Sequence, residues 1–177
     1  MNTTDEVLVL SGVRTAIGKY GGGLASVPPC DLAATVVREA VSRAGVEPAD
    51  VGHAVFGNVI HTEVRDMYLG RVASVNGGLP VETPAFTLNR LCGSGLQAIV
   101  SAAQAIKLGD CDAAVAGGAE SMSRGQVARR HRRQAPAVLA DRGPRRGQDE
   151  YLTLVVVHGS SAHMSRPPLT AQICPVM

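Results

Sequence analysis

One cysteine of the chain lies in a glycine-rich stretch suited to nucleophilic chemistry. Cys92 is the second residue of the stretch 91–95 (Leu-Cys-Gly-Ser-Gly), directly before the apolar segment 96–108. If that segment is a helix, the partial positive charge at its N-terminus favours a thiolate at Cys92. Gly93 and Gly95 leave room for a substrate carbonyl, and the N–H groups of the turn can stabilise an oxyanion. The pattern therefore favours acyl transfer through a thioester on Cys92.

Two other interpretations compete for these residues. Free cysteines are usually buried and inert, which is the role expected for Cys30, Cys111 and Cys174, since none of them opens a helix in a glycine-rich turn. Residues 93–98 also fit the G-x-G-x-x-A dinucleotide pattern, with an acidic residue at Asp112. In that fold the acidic residue ends a strand and the motif lies in the first βαβ unit, whereas Asp112 precedes an apolar run far along the chain. The dinucleotide interpretation is therefore disfavoured.

Apolar segments with strand and helix periods alternate as far as residue 118. Strands are predicted at 7–10, 54–56, 84–88 and 113–116, and helices at 32–44, 66–75 and 96–108. Asp31 is the expected N-cap of the first helix, whose buried face is predicted to comprise Leu32, Val36, Val37, Ala40 and Val41, with Gly45 just past its end. Segment 96–108 is apolar on nearly every side, so it is expected to be buried and to hold Cys92 in a dry cleft. The alternation predicts an α/β fold with a largely parallel sheet covered on both faces.

Composition limits the function classes. The 177 residues allow one ordinary domain, and 45% hydrophobic residues exclude general disorder. No apolar stretch approaches the length needed to cross a bilayer, so no membrane partner is expected. Only two Phe and no Trp are present, which disfavours nucleic-acid binding through aromatic platforms. Four cysteines without paired spacing predict a reducing, cytoplasmic location.

The charge pattern divides the chain near residue 124. Residues 1–123 carry eight basic and twelve acidic side chains, a net charge of −4, whereas residues 124–146 carry eight arginines and one aspartate, a net charge of +7. No helical or strand period fits the segment after residue 124. We therefore predict an ordered domain at residues 1–124 and an Arg-rich, disordered tail at 125–177. The tail composition is also what a GC-rich gene gives when it is read in a shifted frame, a hypothesis that stays open here.

Five stretches of the chain resemble the thiolase family. They are residues 11–18 (SGVRTAIG), 57–60 (GNVI), 65–71 (RDMYLGR), 89–98 (NRLCGSGLQA) and 117–123 (GGAESMS). The resemblance is greatest to bacterial acetyl-CoA acyltransferases, the β-ketothiolases, and residues 117–123 favour these over ketoacyl synthases. It implies one half of an αβαβα layered fold, a mixed, largely parallel sheet, and coenzyme A thioesters as substrates without a metal or prosthetic cofactor. It also implies that Cys92 is the acyl-accepting nucleophile and that its backbone N–H belongs to the oxyanion hole.

The chain departs from the family after residue 124. Thiolases carry a Gly-His-Pro motif and a Cys-x-Gly-Gly-Gly motif in a second half, and neither occurs here. His158, His163 and Cys174 lack the flanking glycines, so they are not expected to replace these groups. We therefore expect a truncated thiolase N-terminal domain that does not turn over alone and, if folded, pairs with itself or with a thiolase subunit. A non-catalytic fragment that binds thiolase subunits and a ketoacyl-synthase-like condensing enzyme are the alternatives.

Overall fold

The computed structural model of the protein describes residues 6–125, 148–149 and 154–159. Within these ranges the strands are β1 (Val7–Val13), β2 (Gly18–Lys19), β3 (Val51–Gly57), β4 (Ala85–Leu88), β5 (Ala113–Gly118), β6 (Gln148–Asp149) and β7 (Leu154–Gly159). The α-helices are α1 (Pro29–Ala44), α2 (Leu69–Asn76) and α3 (Ser94–Leu108), and short 3-10 helices span Pro48–Asp50 and Val64–Tyr68. Strands and helices alternate through the described core, as predicted.

The main sheet has five strands in the order β1-β7-β5-β3-β4. β3 pairs in parallel with both β4 and β5, whereas β7 runs antiparallel to its two neighbours, β1 and β5. A second, two-stranded antiparallel sheet joins β2 to β6. The predicted mixed, largely parallel sheet is therefore confirmed.

β7 lies in the segment that was expected to be a disordered tail. Residues 154–157 (Leu-Val-Val-Val) are uncharged and rich in β-branched side chains, which favours an extended backbone. Between β1 and β5 this backbone pairs on both sides, so the N–H and C=O groups that two open strand edges would leave unpaired are satisfied. The structure thus differs from the prediction at β6 and β7, and the other residues after 125 lie outside the described residues.

Apolar side chains cover both faces of the sheet. Along β5, Ala113 and Val115 pack in one cluster with α1 and α2, whereas Ala114 and Ala116 pack in a second cluster with α3. This alternation is what a strand buried on both faces produces, since successive side chains point to opposite sides. The described core is therefore a three-layer αβα arrangement, with α1 and α2 on one face and α3 on the other.

The predicted N-terminus of α1 is wrong by three residues. Pro28 is the N-cap and the helix begins at Pro29, because the fixed φ of proline is suited to the first helical position. Asp31 lies inside the first turn and pairs at 3.0 Å with Arg65 instead of capping the helix. The other end is as predicted: Gly45 has a left-handed φ of 66°, and all five expected apolar residues are buried.

The single helix predicted at 66–75 is two elements. A 3-10 helix, Val64–Tyr68, precedes α2. Its central residue, Asp66, is fully buried, and its carboxylate accepts hydrogen bonds from the backbone N–H groups of Thr62 (2.7 Å) and Glu63 (3.1 Å). A carboxylate that binds the N–H groups preceding it holds the chain in a tight turn, so the regular helix begins only at Leu69.

The expectation that α3 is buried on all sides is also wrong. Ala98, Ala102 and Ile106 face the sheet, but Leu96 is 68% exposed and Leu108 is 73% exposed. A sheet covers only one face of a helix, and within the described residues nothing covers the opposite face of α3. Large apolar side chains are therefore left exposed on this side of the core.

The fold predicts unequal costs for the same substitution at two valines. Val37, in α1, is fully buried against the end of α2. The packing there is tight: a Cβ added at Gly77 would lie only 2.5 Å from the Val37 Cγ1. Val37→Ala should lower the free energy of unfolding by about 2 kcal/mol, because it removes buried methyl groups and leaves a cavity. The matched variant Val81→Ala, at a residue 61% exposed, should cost less than about 0.5 kcal/mol. Urea denaturation measures both, and equal losses would contradict this packing.

Candidate functional site

The candidate site lies at the carboxyl edge of the parallel strands. β3, β4 and β5 end next to one another at Gly57, Leu88 and Gly118. In open α/β sheets this edge is where ligands bind, because the loops that leave the strands converge there. The loop after β4 carries Cys92, and the loops after β3 and β5 face it across a cavity.

A tight turn places Cys92 just before α3. Leu91 has a φ of +49°, the only positive φ of a non-glycine residue in the described part of the chain. The Ser94 hydroxyl closes the turn: its Oγ accepts a hydrogen bond from the Arg90 N–H (2.8 Å) and donates one to the Leu91 carbonyl (2.7 Å). The structure thus places Cys92 where the sequence predicted it, one residue before the Gly93 cap of the helix.

Two glycines allow the strands to approach this turn. A Cβ added at Gly57 would lie 2.7 Å from the Cβ of Ser94, and one added at Gly118 would lie 2.9 Å from the Gly57 carbonyl oxygen. Any side chain at either position would therefore push β5, β3 and α3 apart. At Gly95, by contrast, an added Cβ would meet nothing within 4 Å, because this residue faces open space.

That open space is a cavity of about 700 Å³, the Cys92 cavity. Its lining is mostly apolar and comes from the loops after β3, β4 and β5 and from the first turns of α3. The lining residues are Gly57, Val59, Ile60, Leu91, Cys92, Ser94, Gly95, Leu96, Ile99, Gly118, Ala119, Glu120 and Met122. An apolar cavity with a thiol at its wall has the chemical character needed to hold an acyl chain beside a nucleophile.

Cys92 differs from the sequence expectation in one respect. It was expected in a dry cleft, but its side chain is exposed. The helix behind it buries only the face turned to the sheet, so nothing in the described residues closes the cavity over the thiol. Among the described residues the thiol of Cys92 is therefore open to solvent.

The carboxylate of Glu120 binds the loop opposite Cys92. Its Oε2 accepts a hydrogen bond from the Val59 N–H (2.9 Å), and its Oε1 accepts one from the Ile60 N–H (3.0 Å). Burial raises the pKa of the Glu120 carboxyl, and Asp66 adds to the rise, while these two N–H groups and His61 oppose it. Sequence reasoning missed this residue. Its only signal is an acidic side chain two residues after an apolar strand, in a segment without other charge.

Arg124 holds the end of the segment that follows β5 and contains Glu120. Its guanidinium donates to the Ser26 carbonyl (2.9 Å) and forms an ion pair with Glu63 (2.8 Å). The Ser123 hydroxyl accepts a hydrogen bond from the Gly21 N–H (2.9 Å). The chain therefore stays attached to the core through the last residues before the undescribed segment 126–147.

Neither of the other two described cysteines, Cys30 and Cys111, lines the cavity beside Cys92. Cys30 is buried, and burial together with a hydrogen bond to Asp66 raises the pKa of its thiol to about 12. Burial and two neighbouring aspartates raise the pKa of Cys111. His158 belongs to β7, of whose side chains nothing is described, and His163 and Cys174 lie outside the described residues.

Two further features concern the expected partners. Within the described residues no three His, Cys, Asp or Glu side chains come together as metal ligands would. In the same part of the chain no helix has the length and apolar character required to cross a bilayer.

Comparison with known proteins assigns this arrangement to a family. The family model "Thiolase, N-terminal domain" matches residues 7–158. The chain belongs to the thiolase family. This thiolase match includes β7, so the family-like region extends past residue 124, where the sequence reading had ended it.

Individual thiolases match the chain over its first two thirds. It is 70% identical over 121 residues to the β-ketothiolase BktB of Cupriavidus necator, which covers 68% of the chain and 31% of that relative. It is 49% identical over 118 residues to an acetyl-CoA acetyltransferase of Chromobacterium violaceum. Human mitochondrial 3-ketoacyl-CoA thiolase, solved in complex with CoA, superimposes with a TM-score of 0.65 at 40% identity, covering 67% of the chain and 30% of that structure. The chain thus spans about a third of the length of the relatives it matches.

The site predicts selective modification of Cys92. At pH 8 iodoacetamide should alkylate Cys92 at least about tenfold faster than Cys30, because Cys92 is exposed whereas the Cys30 thiol is buried and stays protonated. Peptide mapping after short exposures measures the two rates within one sample. In urea the two rates should converge. Equal rates in the native protein would show that the described burial of Cys30 is wrong.

Glu120 predicts a pH-dependent difference in stability. Because its pKa is raised in the folded state, the folded chain binds the proton more tightly than the unfolded chain. The stability that this proton confers is present below pH 4.5, the ordinary value, and is lost as the pH rises through the raised pKa. The free energy of unfolding of the wild type should therefore fall relative to that of Glu120→Gln from pH 4.5 upward.

Urea denaturation of both proteins between pH 4 and pH 8 tests this expectation, with Glu82→Gln at an exposed glutamate as the matched control. The difference between the free energies of unfolding of the wild type and Glu120→Gln is the quantity to follow, because groups that titrate in the same way in both proteins cancel in it. A difference that stays constant, or that changes in the opposite direction, would contradict the assigned environment of Glu120.

Proposed function

We propose that this chain carries the acyl-accepting half of a thiolase active site. Cys92 takes an acyl group from acetyl-CoA or a 3-ketoacyl-CoA, the first step of thiolytic cleavage or Claisen condensation. The observation that carries the proposal is the exposed thiol of Cys92 at the start of α3, beside an apolar cavity at the carboxyl edge of the parallel strands.

The local chemistry suits acyl transfer. With acetyl-CoA, the Cys92 sulfur attacks the thioester carbonyl, a new sulfur–carbon bond forms, and the bond from the acyl carbon to the CoA sulfur breaks. With a 3-ketoacyl-CoA, the sulfur attacks the 3-keto carbonyl and the bond between C2 and C3 breaks, so that acetyl-CoA leaves as its carbanion. In both cases the thiol proton passes through water to the leaving group, the CoA thiolate or the C2 carbanion, so no charge or electron is left over. The Cys92 N–H, close to the first turn of α3, is the proposed donor to the oxyanion that forms between attack and bond cleavage. No metal or prosthetic group enters this step.

The names of the relatives support the substrate class. Two of those reported are a β-ketothiolase and an acetyl-CoA acetyltransferase, and the human enzyme was solved with CoA. A further relative, from Rattus norvegicus, is a cytosolic acetyl-CoA acetyltransferase at 43% identity. We extend these properties to the present chain: CoA thioesters are its substrates and the cytoplasm is its location. The resemblance implies that full turnover also uses a Gly-His-Pro motif and a Cys-x-Gly-Gly-Gly motif, neither of which occurs in these 177 residues.

A second function follows from the exposed side of α3. Leu96, Val100 and Leu108 are exposed there, beside the polar residues Gln104 and Lys107. Such a face favours association, either with a second copy or with a longer thiolase subunit. In this alternative the chain is a non-catalytic assembly partner, and Cys92 gains no acyl group.

Incubation with acetoacetyl-CoA and with acetyl-CoA decides between the two functions. We expect intact-mass spectra to gain one acetyl group, which peptide mapping locates at Cys92 with about tenfold higher occupancy than at Cys111. Neutral hydroxylamine should remove the adduct, because it cleaves a thioester and leaves lysine amides intact.

Cys92→Ser and Cys111→Ser are the matched variants for this experiment. The first should abolish the hydroxylamine-sensitive adduct, and the second should leave it unchanged. An adduct that survives in Cys92→Ser, or no adduct in the wild type with either thioester, would refute acyl transfer. The second outcome would favour the assembly function.

A further inference from the structure

Glu120 stands at the centre of a hydrogen-bond network that joins all three loops of the site. Its carboxylate accepts from the N–H groups of Val59 and Ile60 and, at 3.4 Å, from the Asn58 side-chain amide. The same amide donates to the Ala119 carbonyl (2.8 Å), and the Ala119 N–H donates to the Gly57 carbonyl (3.1 Å). The end of β3 and the loop that follows it are thus hydrogen-bonded to the segment after β5 at four consecutive residues, 57–60.

The network reaches the loop that carries Cys92. The backbone N–H of Asn58 donates to the carbonyl of Leu88 (3.0 Å), the last residue of β4. Asn89 follows at once, and its side chain accepts from the Leu91 N–H (2.9 Å). The position of the Val59–Ile60 turn relative to Cys92 is therefore fixed through a continuous series of hydrogen bonds.

The turn that Glu120 binds is a wall of the Cys92 cavity. Val59 and Ile60 line it on one side, and Leu91 and Leu96 line it on the side of the thiol. The hydrogen bonds of Glu120 go to two consecutive N–H groups of this wall, one to each oxygen. A carboxylate offers two acceptor oxygens, one for each N–H group, whereas an amide side chain has a single oxygen.

Among the described residues, hydrogen bonds and not an ion pair compensate for the burial of this carboxylate, and the nearby His61 also favours its ionised form. The ion pairs of that part of the chain join Arg43 to Glu39, Arg65 to Asp31 and Glu63, and Arg124 to Glu63, and none involves Glu120. Burying an acid without a basic partner is costly unless hydrogen bonds satisfy its oxygens. The N–H groups of Val59 and Ile60 do so, and each carboxylate oxygen in turn holds one of these N–H groups in place.

We propose that Glu120 is a positioning residue that holds the Val59–Ile60 wall at the distance from Cys92 that an apolar acyl chain requires, and so determines which acyl groups react there. This inference rests on the proposed function for the identity of the natural substrate. The position of the Val59–Ile60 wall relative to the Cys92 thiol does not depend on which substrate is natural.

Two neutral maleimides that differ only in their apolar chain test the claim. N-ethylmaleimide and N-hexylmaleimide react with thiols by the same addition, so the ratio of their rate constants at Cys92 reports how well the cavity holds the chain. We expect the wild type to react with the hexyl reagent about tenfold faster than with the ethyl reagent, relative to the same ratio for free glutathione. Glu120→Ala should reduce this preference to that of glutathione, and Glu120→Gln, which keeps one acceptor, should retain part of it.

Two control variants separate positioning from general destabilisation. Ser11→Ala removes a buried hydrogen bond to the Ala40 carbonyl (2.7 Å) on the other face of the sheet, so it should weaken the fold and leave the preference unchanged. Glu82→Ala removes an exposed carboxylate and should also leave it unchanged. Circular dichroism and thermal melting identify any variant that does not fold, and in that event Glu120→Gln decides the question.

Each result bears on one proposal. A wild type without hexyl preference, or a Glu120→Ala or folded Glu120→Gln variant with the full wild-type preference, would overturn the positioning role. An equal loss in Ser11→Ala would also overturn it. Because maleimide addition needs no acyl transfer, a Glu120-dependent preference in a chain that forms no acetyl adduct would support positioning and refute the proposed function.

Discussion

The contact between Gly57 and Ser94 is the constraint on which the site depends. Ser94 closes the turn that presents Cys92, and it reaches the end of β3 only because Gly57 has no side chain. Gly118 repeats the arrangement one strand further, where β5 approaches Gly57. With these two gaps the strand ends pack directly against the first turn of α3, and the cavity opens above them. A fold with larger residues here would keep its layers but would lose the register between the strand ends and the thiol.

Around this contact the polar groups act as spacers between loops. Asn58 and Glu120 join the ends of β3, β4 and β5, and Asp66 and Arg124 fix the turns on either side. Each of these residues forms hydrogen bonds, although Asn58 Oδ1 and Arg124 Nε have no partner among the described residues. Buried polar groups of this kind contribute little net stability, but their hydrogen bonds restrict the backbone to one arrangement. In this site an apolar interior therefore supplies the stability and a few buried hydrogen bonds supply the geometry.

Local patterns in the sequence were sufficient for most of the core. The buried face of α1, the left-handed Gly45 and the position of Cys92 before α3 follow from period and glycine spacing, which act over a few residues. The role of Asp31 was missed because two prolines decide where α1 begins, and Asp66 interrupts a helix through bonds to the residues before it. Glu120 and β7 carry only weak local signals, and their roles depend on partners far away in sequence, so sequence reasoning missed both. The role of Cys92 as nucleophile remains a prediction.

The exposed face of α3 and the open cavity have one physical origin. α3 packs Ala98, Ala102 and Ile106 against the sheet, whereas Leu96, Val100 and Leu108 are exposed. Large apolar residues on both faces are typical of a helix that packs against a second layer as well as the first. Leu96 also lines the Cys92 cavity, which means that whatever covers α3 closes the site as well. Assembly and chemistry are thus linked through one helix: the surface that would bring in a partner is continuous with the wall beside the thiol.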